Sequence, residues 1–392
     1  MERDDFWRIG LLREKKPKKH RETPLLFQRG AVYNRGKNRG RGVHPLDQIC
    51  MAVFLPDREE QTYNGKPLML QNVLFCPVLD WCARAWLGRG IQRFFIVCSE
   101  ELREEALACF PDGAQTAWSD PEHYLEALAE FAAGCQVQEI RDPMLPRGNL
   151  MVAFHSVPEL NRLQEASRDA VIAYHRSAGV CVLDGSHTYI DPRVNIGAGT
   201  VILPGTILRG ETEIGGNCEI GPNALVQNCR VGDGVKINAS QVYDSVLEDG
   251  SDVGPYAHIR PGCHVGERCH IGAFVQLKNC NLGSGTKMSH LTYVGDADVG
   301  ERVNFGCGTI TSNYDGFRKH RTVIGDDVFI GCNTNLVPPV EVGSGAYIAA
   351  GTTVTRDVPP DSMAIGRVRQ EVKEEWAARW RSFHNGETSK EK

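Results

Sequence analysis

A chain of 392 residues that is 41% hydrophobic and 24% charged has the composition of a globular, soluble protein of two or three domains. No apolar run approaches the roughly 18 to 20 residues needed to span a bilayer, and the polar, basic N-terminus lacks a secretory signal pattern. The net charge of −5 hides an asymmetry: residues 1–42 hold 13 Lys/Arg against 5 Asp/Glu, about +8, so the remainder is near −13. The 14 cysteines are scattered, with no CxxC pair and no metal spacing. Reduced thiols and a cytoplasmic location are therefore expected.

In chain order, residues 1–45 come first. "REKKPKKHRE" and "RGKNRGRG" are basic and lack apolar periodicity. Such a stretch can bind nucleic acid or an anionic surface; the reading taken is a disordered extension, with no nucleic-acid partner and no membrane span. Residues 46–156 read as a small α/β domain. "LDQICMAVFL", "IQRFFIVCS" and "CQVQEIRD" are strands; "GKPLMLQNVLFCPVLDWCARAWLGRG", "EELREEALACF" and "PEHYLEALAEFAAG" are helices. Alternation of strand and helix implies a parallel sheet, here of only about three strands. A long helix over 157–179 links this domain to the next.

The repeat that follows decides the fold class. Ile190, Ile196, Ile202, Leu208, Ile214, Ile220 and Val226 fall at every sixth position. So do Val253, Ile259, Val265, Ile271 and Leu277, and again Ile324, Ile330, Leu336, Val342, Ile348 and Val354. A six-residue period is the mark of a parallel β-helix. Each hexapeptide forms one side of a triangular coil and turns its aliphatic residue inward; residues 189–358 make roughly nine turns. The chain is thus mainly β, with the β-helix domain over 180–366 and a tail over 367–392. The beat slips near 226–253, which implies shortened turns. It fails between Thr311 and Ile324, where "SNYDGFRKHRT" should project as a loop, a common place for function on a rigid solenoid. His258, His264 and His270 suggest zinc, but at hexapeptide spacing they sit on successive sides of the triangle, so no metal site is expected.

The strings "HIRPG", "GAFVQLKN", "SHLTYVGDADVG", "NFGCGTITSNYDGFRKHRTVIGDDVFIG" and "IAAGTTVTRDV" resemble the acetyltransferase half of the bifunctional N-acetylglucosamine-1-phosphate uridylyltransferase / glucosamine-1-phosphate N-acetyltransferase family. The likeness is dense over about residues 250–370 and weaker back to 157, where "LNRLQEA" resembles the family's connecting helix. It implies a left-handed β-helix, a homotrimer with active sites between subunits, and transfer of an acetyl group from acetyl-CoA to the amine of glucosamine 1-phosphate. By the same resemblance His290 is the general base. Arg260 and Lys278 hold the sugar phosphate, with Tyr293, Asn304 and Lys319 as further substrate contacts. Cys307, Asn313, Tyr314, Cys332, Ala350 and Arg367 line the acetyl-CoA site.

The chemistry fits these residue types. An amine must lose a proton to attack a thioester, and an imidazole with an ordinary pKa of about 6.5 accepts one near neutrality. Arginine binds phosphate oxygens through a planar fork, lysine as a compact charge. Arg260 and Lys278 are separated by three hexapeptides, one full coil, so they should stack on one side of the prism. Tyr314 in "SNYDG" can instead simply shape a turn. Cys307 and Cys332 stand where the family carries small residues, so nucleophilic catalysis is not their expected role.

The first half departs from the family. "MAVFLPDREEQTYNGKP" keeps a strand and "GKP" but not the glycine-rich loop that cradles UTP phosphates. The central part with its metal-binding aspartate is absent, and Leu160 stands where a magnesium-binding asparagine is expected. Uridylyl transfer is therefore expected to be lost, leaving a truncated nucleotidyltransferase-like scaffold. Three alternatives stay open: a non-catalytic sugar-nucleotide-binding or scaffold protein, a full bifunctional enzyme, and an acyltransferase with another amine acceptor.

Overall fold

The protein is described here by a computed structural model covering residues 49–55, 61–147 and 150–387; the basic stretch 1–45 lies outside them. The chain divides into two compact units. One runs to Leu160 without residues 72–76; the other takes that short segment and everything from Asn161.

The first unit is built on a parallel sheet of four strands, one more than expected. Their spatial order is Gln115–Ser119, Arg93–Val97, Ile49–Phe54, Gln136–Ile140. Apolar Cys50, Ala52, Phe95 and Val97 face Leu128 and Ala132 of the helix side and form one core cluster. The missed strand, "QTAWS", is an edge strand with little apolar pattern, so periodicity could not reveal it. A hairpin of Met144–Arg147 with Leu150–Ala153 was also not anticipated.

The long helix expected across residues 65–90 is a correction. Only Val78–Gly88 is α-helical. Before it come short strands Lys66–Pro67, Asn72–Val73 and Cys76–Pro77 and a single turn at Leu68–Leu70. The prolines explain this: Pro67 and Pro77 cannot donate in a helix, and Pro77 immediately precedes the first helical turn. Leu74 and Phe75 have φ of 48° and 69°, outside the helical region. Residues 72–76 belong to the second unit because Gln164 accepts from Leu74 N (3.0 Å) and donates to Asn72 O (2.8 Å). Arg209 also lies over the Phe75 ring at 4.7 Å.

The second unit opens with the helix Val157–Ser177, the one expected over 157–179, whose start is shared with the first unit. The repeat then folds as a left-handed parallel β-helix. One sheet of 11 short strands forms one side, and a folded sheet of 17 strands forms the other two. The first coil strand is Cys181–Val182, ahead of the turns counted from residue 189 and inside the 180–366 domain. Every aliphatic residue of the six-residue beat named above is buried. The residue before it is exposed or half-buried, so a two-residue strand suffices for each side. The smaller inward positions hold Thr200, Thr206 and Thr212 and also Cys218, Cys229, Cys263, Cys269 and Cys280. All the cysteines are free thiols; Cys263 and Cys280 stack on adjacent coils with sulfurs 3.8 Å apart.

The slipped beat has its cause in coil length. Glu219 pairs with Lys236 and Lys236 with Asp252, so both coils are shorter than three full hexapeptides. The failed beat is the loop. Asn304 pairs with Phe329 across a coil lengthened by an insertion, and residues 312–321 project between strands Ile310–Thr311 and Thr322–Ile324. The tail after 366 contains a further helix, Trp376–Glu387, which the apolar pattern had not suggested.

The last turn of the helix Val157–Ser177 carries His175, which is 2% exposed with an unpartnered Nδ1. Burial pushes its imidazole down to about 4 from the ordinary 6.5. The unfolded chain therefore binds a proton that the folded chain refuses between pH 6.5 and 4. Stability is complete above pH 6.5 and falls as pH drops through that window, by roughly 3 kcal/mol in all. Urea titrations at pH 7 and pH 4.5 should show a smaller acid loss in His175→Leu than in the parent; an equal loss would reject this source.

Candidate active site

The structure places three cationic side chains on one side of the prism. Ile259 pairs with Leu277 and Lys278 with Gly295, so Arg260 and Lys278 stack on adjacent coils as their spacing requires. Arg260 N donates to Leu277 O at 2.9 Å. The third cation, Lys319, comes from the projecting loop, whose arms are joined by a bridge between Tyr314 and Lys319. The Lys319 ammonium meets that of Lys278 and lowers its pKa from the ordinary lysine value, and Arg260 adds to the effect. A bound anion would relieve that repulsion.

Next to the lysines sits a buried carboxylate, Asp296, 7% exposed. Burial alone would raise its pKa, but the amides of Asn279 and Asn313 and the charges of Lys319 and Lys278 hold it below the ordinary value. Tyr293 folds its hydroxyl back over Gly295: a Cβ added there would lie 2.3 Å from the Tyr293 Oη and 3.0 Å from Asn313 Nδ2. Tyr293, Asn313, Asp296, Lys278, Lys319 and Arg260 therefore share one neighbourhood.

His290 occupies the adjoining corner. It ends the strand Lys287–His290 and pairs with Ala273, and the chain turns through Leu291 at φ 45°. Its side chain is exposed and has no hydrogen-bond partner among the described residues. The same register carries on upward. Lys287 pairs with Asn304, which pairs with Phe329, which pairs with Tyr347. Three positions further along each coil stand His290, Cys307, Cys332 and Ala350, a file along one corner. Asn333 N donates to Cys307 O, and Gly351 N to Cys332 O, both at 2.8 Å. Arg367 caps the file by donating to Ala350 O at 2.6 Å.

Asn304 is half-buried on the face of His290, away from the cation cluster. Tyr314 is 61% exposed, and its hydroxyl donates to Gly316 O at 2.6 Å, the turn-shaping geometry weighed for it. The three histidines of one coil diverge as their spacing requires. His258 lies edge-on to Tyr243, His264 pairs with Glu248 at 2.8 Å, and His270 with Asp252 at 3.1 Å. No group of three metal-ligating side chains occurs among the described residues. Sequence reasoning missed Asp296, together with Asn279. The usable signal was the recurrence of Asn279, Asp296 and Asn313 at equal intervals of one short coil, a polar column that breaks no aliphatic beat.

Residues 244–279 and 321–356 match the family described as bacterial transferase hexapeptide (six repeats). Curated relatives match over a longer span. The bifunctional protein GlmU of Geobacillus sp. (strain WCH70) is 47% identical over 220 residues, 56% of this chain and 48% of the relative. That of Brevibacillus brevis (strain 47) is 49% identical over 219 residues, 56% of this chain and 48% of its own length. That of Geotalea uraniireducens (strain Rf4) is 45% identical over 260 residues, 65% of this chain and 56% of the relative. The chain spans about half the length of these relatives. With repeat, register and identity in agreement, the chain is a hexapeptide-repeat homologue of the bifunctional GlmU proteins, matching them over about half of their length.

Proposed function

We propose that the protein transfers an acetyl group from acetyl-CoA to the amine of glucosamine 1-phosphate. The product, N-acetylglucosamine 1-phosphate, would supply UDP-N-acetylglucosamine and cell-envelope synthesis. The observation that carries this reading is the meeting of Lys278, Lys319 and Arg260 beside Tyr293, with a solvent-facing imidazole at the next corner. Three cations, two on adjacent coils and one from the loop, suit a phosphate dianion, the planar Arg260 fork and two point charges sharing its oxygens. His290 takes the proton from the attacking amine. Asn304 contacts the sugar, and Cys307, Cys332, Ala350 and Arg367, with Asn313 and Tyr314, line the donor's site. Acetyl-CoA is the co-substrate, and acetyl transfer of this kind proceeds without a metal.

In this reading the working form is a cytoplasmic homotrimer. Its sites are completed between subunits, so the corner file of one chain and the cation cluster of another can serve one reaction. The small α/β unit is a scaffold without uridylyl transfer, a reading supported by the missing glycine loop in "FLPDREEQTYNGKP".

The test is release of CoA thiol on mixing the full chain with acetyl-CoA and glucosamine 1-phosphate. Turnover is expected; a folded trimer that releases none would end the proposal and favour a binding or scaffold role. Two parallel assays decide the neighbouring readings. No pyrophosphate should form from UTP, magnesium and N-acetylglucosamine 1-phosphate, and other amine acceptors should react more slowly than glucosamine 1-phosphate. Lys278→Ala is expected to raise KM for the sugar phosphate about 10- to 100-fold, the effect of losing one charge-assisted contact.

A further inference from the structure

The loop that brings Lys319 to the cluster is gripped at both roots by carboxylates of a single strand, Tyr293–Val299. Asp296, buried, and Asp298, half-buried, stand on either side of the fully buried Ala297. From the preceding coil, Asn279 donates to Asp296 at 2.6 Å and Asn281 to Asp298 at 2.7 Å. From the following coil, the Asn313 amide donates to the other Asp296 oxygen. Arg321 closes on Asp298 through Nε at 2.5 Å and Nη2 at 2.6 Å, and also donates to Ala297 O and Asn279 O, each at 3.1 Å. Asn313 and Arg321 are the two ends of the loop, and His320 N donates to Asn313 O at 2.9 Å across its neck.

The loop's tip is shaped separately. Asp315 accepts from Phe317 N at 2.8 Å and Arg318 N at 2.7 Å, and pairs with His320 Nε2 at 2.7 Å. The tip is therefore a preformed unit, and the two root contacts set where it stands. We infer that Asp296 and Asp298 are positioning residues that clamp the loop so that Lys319 is held against Lys278 and completes the anion subsite. The inference rests on the acetyl-transfer reading for the identity of the anion, but not for the clamp itself. Neither carboxylate needs to touch substrate; each acts through the loop root it holds.

The test uses the whole chain, two single variants and one double exchange. Asp298→Asn keeps the shape and removes the charge. Arg321→Lys keeps the charge and loses the two-pronged contact, and it serves if Asp298→Asn does not fold. Native-state trypsin cleavage at Arg318 and Lys319, followed by mass spectrometry, reads the clamp without reference to activity. Calorimetric binding of glucosamine 1-phosphate and steady-state kinetics read the subsite. Expected results are cleavage about 10-fold faster and KM for glucosamine 1-phosphate about 10-fold higher, with kcat within about 3-fold. Exchanging the pair, Asp298→Arg with Arg321→Asp, should recover part of both. Unchanged cleavage overturns the clamp. Faster cleavage with unchanged affinity, or a fall in kcat alone, overturns its role at the subsite. Faster cleavage in the variants of a protein that shows no turnover even as wild type would uphold the clamp and reject the acetyl-transfer reading.

Discussion

His290→Ala should lower kcat for acetyl transfer by about two to four orders of magnitude, the usual cost of losing a general base. Under the proposed mechanism the acceptor amine is protonated at neutral pH and cannot attack until a base removes its proton. The loss should fall on kcat with the fold intact. The imidazole is exposed and its ring holds no partner among the described residues. The corner itself is kept by backbone and threonine: Thr292 Oγ1 donates to His290 O at 2.8 Å, and Leu291 N donates to Ala273 O at 3.0 Å. Neither contact needs the imidazole. An unchanged melting temperature with kcat reduced by about 100-fold or more is the expected pair of measurements. A variant that turns over at the parent rate would remove His290 from the mechanism.

Gly272→Ala should be nearly as damaging by a different route. A Cβ at position 272 would lie 2.1 Å from Ser289 O and 2.7 Å from Ser289 C. Those are backbone atoms of the neighbouring coil, so no side chain can swing away, and the two coils must part. Overpacking of this kind costs about 1 to 3 kcal/mol, and more where the backbone cannot yield. Ser289 immediately precedes His290, and Gly272 immediately precedes Ala273, the register partner of His290. The steric push is therefore delivered to the proposed base. A displacement of about 1 Å in a reacting group can cost about 100-fold in rate. Both melting temperature and kcat should fall. Gly88→Ala is the control, since nothing lies within 4 Å of its added carbon and its φ is not positive; it should leave both unchanged. A Gly272→Ala protein as stable and active as the parent would show that the coils are not in the close contact described.

The β-helix was legible because its inward residues must be aliphatic at every sixth position, and a two-residue strand leaves little else to decide. Ile259, Leu277 and Val294 report the coil directly, even where a coil shortens. The Arg260–Lys278 stack followed from the same arithmetic. The meeting of Lys319 with Lys278 did not, because it depends on how a non-repeating loop returns to the wall. The pairing of Asp298 with Arg321 across that loop was invisible for the same reason. In the α/β unit the error lay in a buried apolar stretch. Leu68, Met69 and Leu70 are fully in the core without belonging to an α-helix, and Pro67 and Pro77 were the warning that burial alone did not heed.

The coil registers carry one further consequence. Between the strand at Cys181 and that at Asp252, the single-sheet side advances through Val201, Glu219 and Lys236, four steps in all. At about 4.8 Å per step this lower part of the stack is a spacer of roughly 19 Å. Its first coils also meet the helix Val157–Ser177 through Arg176 on Val182 O, and Arg209 meets Phe75, but the strands themselves pair only with the coils above and below, as in any solenoid. The proposed anion subsite draws its residues from Arg260 upward. Adding or removing one whole coil beneath it would thus change a length and leave the neighbours of every reacting group in place. The sequence below Arg260 behaves as a ruler, free to be reset in units of one turn without rewriting the chemistry it supports.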